Sequence, residues 1–277
     1  MTKTPQFPSF HVDLTGQVAV VLGASAEGGT GWAIAQALAR QGAKVVVAAR
    51  SLPPLQRLAE QIDGLAVACD AGKPEDIARL ADTVLQNYGR LDIAVNSAAL
   101  PLPRMINELT EADLHSAMQV NFVGNTLFIQ HMARVIEHDG SIIFISSLST
   151  THPLLPHAAY ASAKAASDCM IRYAALEYAD RNIRINSILP GAIRSDMTRG
   201  AFDNPNYEKA LSREVPLARV GLPEDFANAV LWFAGPAFVT GLNLPVSGGN
   251  QLTRFPYLNE FDGGKTAFDK VSPLGDR

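Results

Sequence analysis

Short apolar, β-branched runs alternate with stretches of helical period along most of this 277-residue chain, and that beat restricts its fold more than any other feature. Val18–Leu22 (VAVVL) is wholly apolar, the pattern of a strand buried on both faces of a parallel sheet. A helical pattern follows over Trp32–Gln41, then a strand over Lys44–Ala49, a helix over Pro53–Ile62, a strand over Leu65–Ala68 and a helix over Pro74–Asn87. Strand Leu91–Val95 comes next, then one long helix within Glu111–Glu137, strand Ser141–Ile145, a helix carrying Tyr160 to about Ala179, and strand Arg184–Leu189. After a Pro/Gly turn the chain reads as irregular over Arg194–Arg213, helical over Glu224–Phe233, and extended once more around Leu242–Val246. This order predicts a mostly parallel seven-stranded sheet with helices on both faces and ligands at the carboxyl ends of the strands.

Composition narrows the partners. Hydrophobic residues make up 47% and charged residues 18%, as in an ordinary globular chain. A net charge of −4 without a Lys/Arg run gives no support to a nucleic-acid or anionic-membrane surface, so a small-molecule ligand is expected. Cys69 and Cys169 are too few for a disulfide framework and suit a reducing, cytoplasmic setting. The six histidines form no HExxH-like spacing, so no catalytic metal is expected. Residues 1–13 read as an N-terminal arm, 14–250 as one domain with a substrate-loop segment at about 194–213, and 251–277 as a C-terminal extension. No apolar run approaches membrane-spanning length.

Chemistry concentrates in LSTTHPLLPHAAYASAKAA. Tyr160 and Lys164 stand four apart in an Ala-rich helical run and therefore share a face. An ammonium beside a phenol stabilises the phenolate, so the Tyr160 pKa is expected to fall from about 10 toward neutrality. A hydroxyl such as that of Ser147, arriving from a strand end, can hydrogen-bond the same substrate oxygen. Taken alone this spacing is also that of a solvated helix pair.

Other parts give it context. Gly23, Gly28, Gly29 and Gly31 lie between a strand and a helix, with Ser25 and Thr30 among them, where backbone N–H groups and the helix dipole favour a diphosphate. Together with Asn96-Ser97-Ala98-Ala99, Asn121 in VNFVGN, Ser147, Tyr160-Ala-Ser-Ala-Lys164 and Pro190-Gly191, they make the chain resemble the short-chain dehydrogenase/reductase family from about Leu14 to Gly249. The resemblance implies a single Rossmann-type doubly wound α/β domain and an active site of Asn121, Ser147, Tyr160 and Lys164. Ser147, thirteen positions before the tyrosine, matches the family serine, which leaves Ser146 and Ser149 as turn residues. Asn121 is then expected to hold a water relaying protons to Lys164, and Ile193 and Ser195 to meet the nicotinamide carboxamide. Two departures stand out: the glycine loop is two residues longer and includes Glu27, expected to point to water, and NSAA replaces the family's NNAG.

The second strand ends in Ala49-Arg50-Ser51, where an acid would bind the ribose of NAD(H) and a guanidinium suits the 2′-phosphate of NADP(H). Arg50 favours NADP(H), with NAD(H) possible. By resemblance Asp70 and Ala71 border the adenine and Asn96 the ribose; Asp70 reads equally well as a plain turn acid. Leu100–Pro103, Ser149–Leu155, His157 and Met197–Leu211, with Phe202 and Tyr207, are expected to face a fairly apolar substrate. His152 or His157 reads either as a contact to a polar substituent or as a loop residue. The extension, with Phe255, Tyr257, Phe261 and Phe268, reads equally as a cover over the site or a neighbouring subunit, or as a disordered tail. Small residues Ala158, Ala161, Ser162, Ala165 and Ala166 permit close helix packing, and the resemblance implies a homodimer or homotetramer. An NADP(H)-dependent alcohol/ketone oxidoreductase is the expected function. An NAD-dependent dehydrogenase of a cyclic alcohol or diol, and a non-catalytic dinucleotide sensor, are the alternatives.

Overall fold

The computed structural model describes residues 11–194 and 196–262. Seven strands, β1 (Val18–Leu22), β2 (Lys44–Ala49), β3 (Leu65–Ala68), β4 (Ile93–Asn96), β5 (Ser141–Ile145), β6 (Arg184–Pro190) and β7 (Asn243–Val246), form one sheet in the order β3-β2-β1-β4-β5-β6-β7. Every pairing is parallel, from Val18 opposite Lys44 to Pro190 opposite Val246. All residues of β1, β4 and β5 are buried, which is why their sequences are continuous apolar runs and not alternating ones.

Helices α1 (Thr30–Arg40), α2 (Leu52–Ile62) and α8 (Pro223–Ala234) cover one face through a core that includes Ile34, Leu38, Leu55, Phe226 and Phe233. Helices α3 (Pro74–Tyr88), α5 (Gly124–Val135) and α6 (Ala158–Glu177) cover the other through Ile77, Leu80, Phe128, Met132 and Ile171. Local chemistry sets their ends. Pro74 opens α3 with Glu75 and Asp76 in its first turn, and Gly89 closes it at φ 71°, where a side chain would be strained. The strand order reverses between β1 and β4, which opens a crevice above their carboxyl ends.

Two expectations need correction. The long helix predicted within Glu111–Glu137 is α4 (Glu111–Met118) and α5 joined by one π-helical stretch, Gln119–Val123, centred on Asn121. Arg194–Arg213 is not irregular: it holds a 3₁₀ stretch, Asp196–Asp203, and helix α7 (Pro205–Arg213), capped by Asn204 Oδ1 accepting from the Asn206 N–H at 2.9 Å. A last short helix, α9 (Leu258–Asp262), follows the sheet. Among the described residues no helix is long and apolar enough to cross a membrane.

Candidate active site

Two hollows meet above the carboxyl ends of the strands. The first, about 200 Å³, is bordered by Gly23, Ser25, Arg50, Asp70, Ala71 and Ala98. The second, about 270 Å³, is bordered among others by Ser147, Tyr160, Pro190, Gly191 and Ile193. Ser97 and Ala99 border both, so the two hollows adjoin and together make a trough along the strand ends.

Backbone walls the first hollow. A Cβ on Gly23, at φ +92°, would lie 2.5 Å from the Ala98 N, and one on Gly31 would lie 2.3 Å from the Gly23 carbonyl oxygen. These glycines let β1, the turn after β4 and the start of α1 close on one another, while Gly29 is the α1 N-cap and Thr30 faces the second hollow. Glu27 is exposed, as expected. Arg50 is exposed just after β2 and borders the hollow together with Asp70. Asp70 holds both predicted places: it borders the hollow, and its Oδ1 accepts the Gly72 N–H at 2.9 Å, a turn bond. Asn96 does not reach the hollow. It is buried beneath it, its Nδ2 donating to Asn125 Oδ1 at 3.0 Å and its Oδ1 accepting the Ala98 N–H at 3.0 Å, so it shapes the turn whose backbone forms the wall.

Around the second hollow, Ser147 Oγ lies 2.8 Å from Ser149 Oγ and accepts the Ser149 N–H at 3.2 Å. Ser149 borders the hollow, as expected of the Ser149–Leu155 segment, and so does Ser146, read from the sequence only as a turn residue. Burial pushes the Tyr160 phenol up to about 12, against the pull of the Ser147 hydroxyl beside it. The expected drop toward neutrality is therefore not found in the chain by itself. The reason is geometric: Lys164 Nζ lies 5.9 Å from the Tyr160 ring centroid and donates to the Ile145 carbonyl at 2.8 Å. Lys164 is itself buried, which brings its ammonium down to about 8.

Asn121 explains the π-helical stretch. Its Nδ2 donates to the carbonyls of Leu100 and Ala117, each at 3.0 Å, and its Oδ1 accepts the Leu100 N–H at 3.1 Å. The side chain thus ties the helix to the loop after β4. Its carbonyl accepts from Ser167 Oγ at 2.6 Å and Asn125 Nδ2 at 2.8 Å. Asn125, the last residue of VNFVGN, and Ser167, which lies in no motif, complete this buried set; their signal is only that polar residues fall on core-facing helix positions.

Of the expected substrate-facing residues, Pro101, Pro103, Leu154, His157, Thr198, Tyr207 and Leu211 border the hollow. His157 packs edge-on to Tyr160, centroids 6.3 Å apart, and burial holds it neutral-leaning, its pKa below the ordinary value. His152 instead pairs with Thr151. Phe202 stands behind Tyr207 at 5.1 Å. The start of the extension docks: Phe255 borders the hollow, and Phe261 stacks on Tyr207 at 4.7 Å. The Glu260 carboxylate binds Arg254 at 2.6 Å and also Arg213, with Arg254 reaching Glu214 at 3.1 Å. Ser195, Gly263, Gly264 and Phe268 lie outside the described residues.

A sequence model described as Enoyl-(Acyl carrier protein) reductase matches residues 23–251. The chain belongs to the short-chain dehydrogenase/reductase family. It is 32% identical over 252 residues to the 7alpha-hydroxysteroid dehydrogenase of Escherichia coli K12, covering 88% of this chain and 97% of that one. It is 34% identical over 254 residues to the 3beta-hydroxysteroid dehydrogenase 1 of Eggerthella lenta, covering 87% and 95%. A solved short-chain type dehydrogenase/reductase from Mycobacterium ulcerans superposes with a TM-score of 0.84 at 26% identity, covering 90% and 94%. The family is one of oxidoreductases that act on alcohol and ketone groups with NAD(H) or NADP(H). The trough fits such a dinucleotide: the start of α1 at Gly29 and Thr30, Gly23 and Ser25 along the first hollow, a guanidinium at Arg50, and Tyr160 in the adjoining hollow.

Proposed function

We propose that this chain interconverts a secondary alcohol and a ketone on a fairly apolar small molecule, with NADP(H) as the preferred hydride carrier. The observation that carries the reading is that Ser147 and Tyr160 border the same apolar hollow as Pro190, Gly191 and Ile193, at the end of a trough that starts at Arg50. Gly23, Ser25, Arg50, Asp70 and Ala71 would hold the nucleotide end of the cofactor, and Pro190, Gly191, Ile193 and Ser195 the nicotinamide end, which when bound would supply or accept the hydride. Tyr160 gives a proton to the developing alkoxide in reduction and takes it back in oxidation, while Ser147 hydrogen-bonds the same oxygen. Lys164 brings a positive charge 5.9 Å from the Tyr160 ring centroid to steady the phenolate as it forms, and Asn121 braces the helix and loop around them.

A phenol held at about 12 keeps its proton at neutral pH, which suits reduction. The names of the two steroid dehydrogenases support a bulky alicyclic substrate. The free cysteines support a reducing, cytoplasmic setting. Tyr173 and Leu176, 63% and 79% exposed on α6 beside its small residues, support a homo-oligomer.

The test is NADPH and NADH oxidation across steroid, aryl and alicyclic ketones. Tyr160→Phe should lower turnover about 10²–10⁴-fold while leaving cofactor affinity within a few-fold; near-normal turnover would sink the assignment. Arg50→Asp should reverse the preference from NADPH to NADH, removing a charge-assisted contact of about 1.5–3 kcal/mol. An unchanged ratio would favour the NAD-dependent reading, and tight cofactor binding without turnover on any ketone would favour the sensor.

A further inference from the structure

The buried face of α6 carries a third ionisable group. Asp168 follows Tyr160 and Lys164 at the same four-residue interval, is 6% exposed, and belongs to none of the motifs that mark the site. A buried carboxylate needs partners. Ser187 on β6 donates its hydroxyl to Asp168 Oδ1 at 3.1 Å, and Asn243 on β7 donates from Nδ2 to Ser187 Oγ at 2.7 Å. Arg172, exposed one turn further along α6, donates to Asn243 Oδ1 at 2.8 Å and to the Asp168 backbone carbonyl at 3.0 Å.

The direction of this chain is forced. A guanidinium can only donate, so Asn243 accepts with Oδ1 and presents its NH₂ to Ser187. The Ser187 proton is then left for Asp168, which accepts. The network begins at a solvent-facing cation and ends on a buried acceptor one turn of α6 from Lys164.

Lys164 has a neutral carbonyl as its hydrogen-bond partner. Burial alone weakens its hold on a proton, and the charge that opposes this is Asp168. Of the groups around Asp168 only Ser187 on β6 hydrogen-bonds its carboxylate; Lys164 and Tyr160 on its own helix act on it by charge, and the hydroxyls of Ser146 at the end of β5 and Thr150 in the turn beyond it act by their dipoles. Burial raises the Asp168 carboxyl; Ser146, Ser187, the Lys164 charge and Thr150 pull it back.

We propose that Asp168 is a positioning residue that acts through Lys164: its carboxylate is the buried counter-ion that keeps the ammonium protonated, and the Arg172–Asn243–Ser187 chain keeps that carboxylate an acceptor. The consequence for catalysis rests on the role given to Lys164 above; the proton equilibrium itself does not.

The experiment is therefore a titration that needs no turnover. Full-length protein labelled with ¹³C at the lysine ε carbons is followed by NMR over pH, the Lys164 signal being assigned by its loss in Lys164→Arg. The wild-type midpoint is expected at about 8. In Asp168→Asn it should fall by a unit or more, a tenfold weaker hold on the proton, and Asp168→Glu should recover part of the difference. Ser187→Ala keeps the carboxylate and removes its donor; it should move the midpoint the same way by less, and it decides the matter if Asp168→Asn does not fold. Coincident midpoints in the wild type and the folded variants would overturn the proposal. Where ketone reduction is measurable, the alkaline fall of kcat/KM should move to lower pH in step with the midpoint, and a fall that stays in place while the midpoint moves would overturn the coupling of Asp168 to catalysis.

Discussion

The two ends of the trough are built from different material. At the nucleotide end the wall is backbone, drawn together at β1, the turn after β4 and the start of α1 until Gly23 and Gly31 have no space for a Cβ. At the substrate end the wall is side chains, brought by the turn after β5, by α7 and by the docked segment that carries Phe255, around a core of Leu148, Ala210, Leu211, Val215 and Phe261. Backbone walls recognise what every dinucleotide shares. Side-chain walls can be changed one residue at a time, and substrate choice belongs there.

The contrast predicts that the nucleotide end tolerates least. Gly31→Ala puts a methyl against the Gly23 carbonyl, where neither backbone can yield cheaply. Overpacking of this kind costs about 1–3 kcal/mol, and an ångström of misplacement at a reaction centre can cost about 10²-fold in rate. The expected result is a melting point lower by several degrees and a loss of about 10²-fold in kcat/KM with every substrate alike. A variant that binds NADPH normally, by fluorescence titration, would show that the wall is less rigid than its contacts.

Phe255→Ala should act more gently and selectively. Removing the ring enlarges the hollow without touching Ser147 or Tyr160, so the effect belongs in KM and in the ranking of substrates. A change of about tenfold, near 1.4 kcal/mol, is expected between compact and bulky ketones, the bulky ones gaining. An equal change in kcat for all ketones would mean that Phe255 positions the reacting groups and does not merely bound the space.

The same contrast explains what could be read from the sequence. The strands were legible because burial on both faces leaves only apolar, β-branched residues, as in VAVVL and SIIFI. Ser147, Tyr160 and Lys164 were legible as types at fixed intervals. Where Lys164 Nζ ends was not, since its bond to the Ile145 carbonyl crosses from helix to sheet and leaves no local pattern. The π-helical stretch was equally hidden, because it depends on Asn121 binding Leu100, 21 residues away. Helix α7 is hidden for a different reason. Its signal was present, Asn204-Pro205 at the start and Tyr207, Ala210 and Leu211 on one face, but a short helix with few apolar residues reads like a polar loop. Asp168 gives no signal because a single acid on a helix is ordinarily solvated, and its burial follows only from β6 and β7 lying beside α6.

The anchoring of the docked segment offers the smallest effect. Glu260 is bound by Arg254 and Arg213, and these hydrogen bonds, Arg254 first, hold its carboxyl down to about 2 from an ordinary 4.5. Because the folded value is depressed, the stabilisation is complete above about 4.5 and is lost as pH falls from there toward about 2. Arg254 is 42% exposed, so solvent screens the pair and its worth is about 1 kcal/mol. Glu260→Gln should therefore melt a few degrees below the wild type at neutral pH, by the relation of about 2–4 °C per kcal/mol for a domain of this size. The gap should close as the buffer is taken below pH 4.5. Salt at molar strength should narrow it as well, since it screens exposed charges. A gap that persists at low pH would mean that Glu260 acts through its shape and its bond to the Tyr257 N–H, and the docked segment would then be held by Phe255 and Phe261 packing alone.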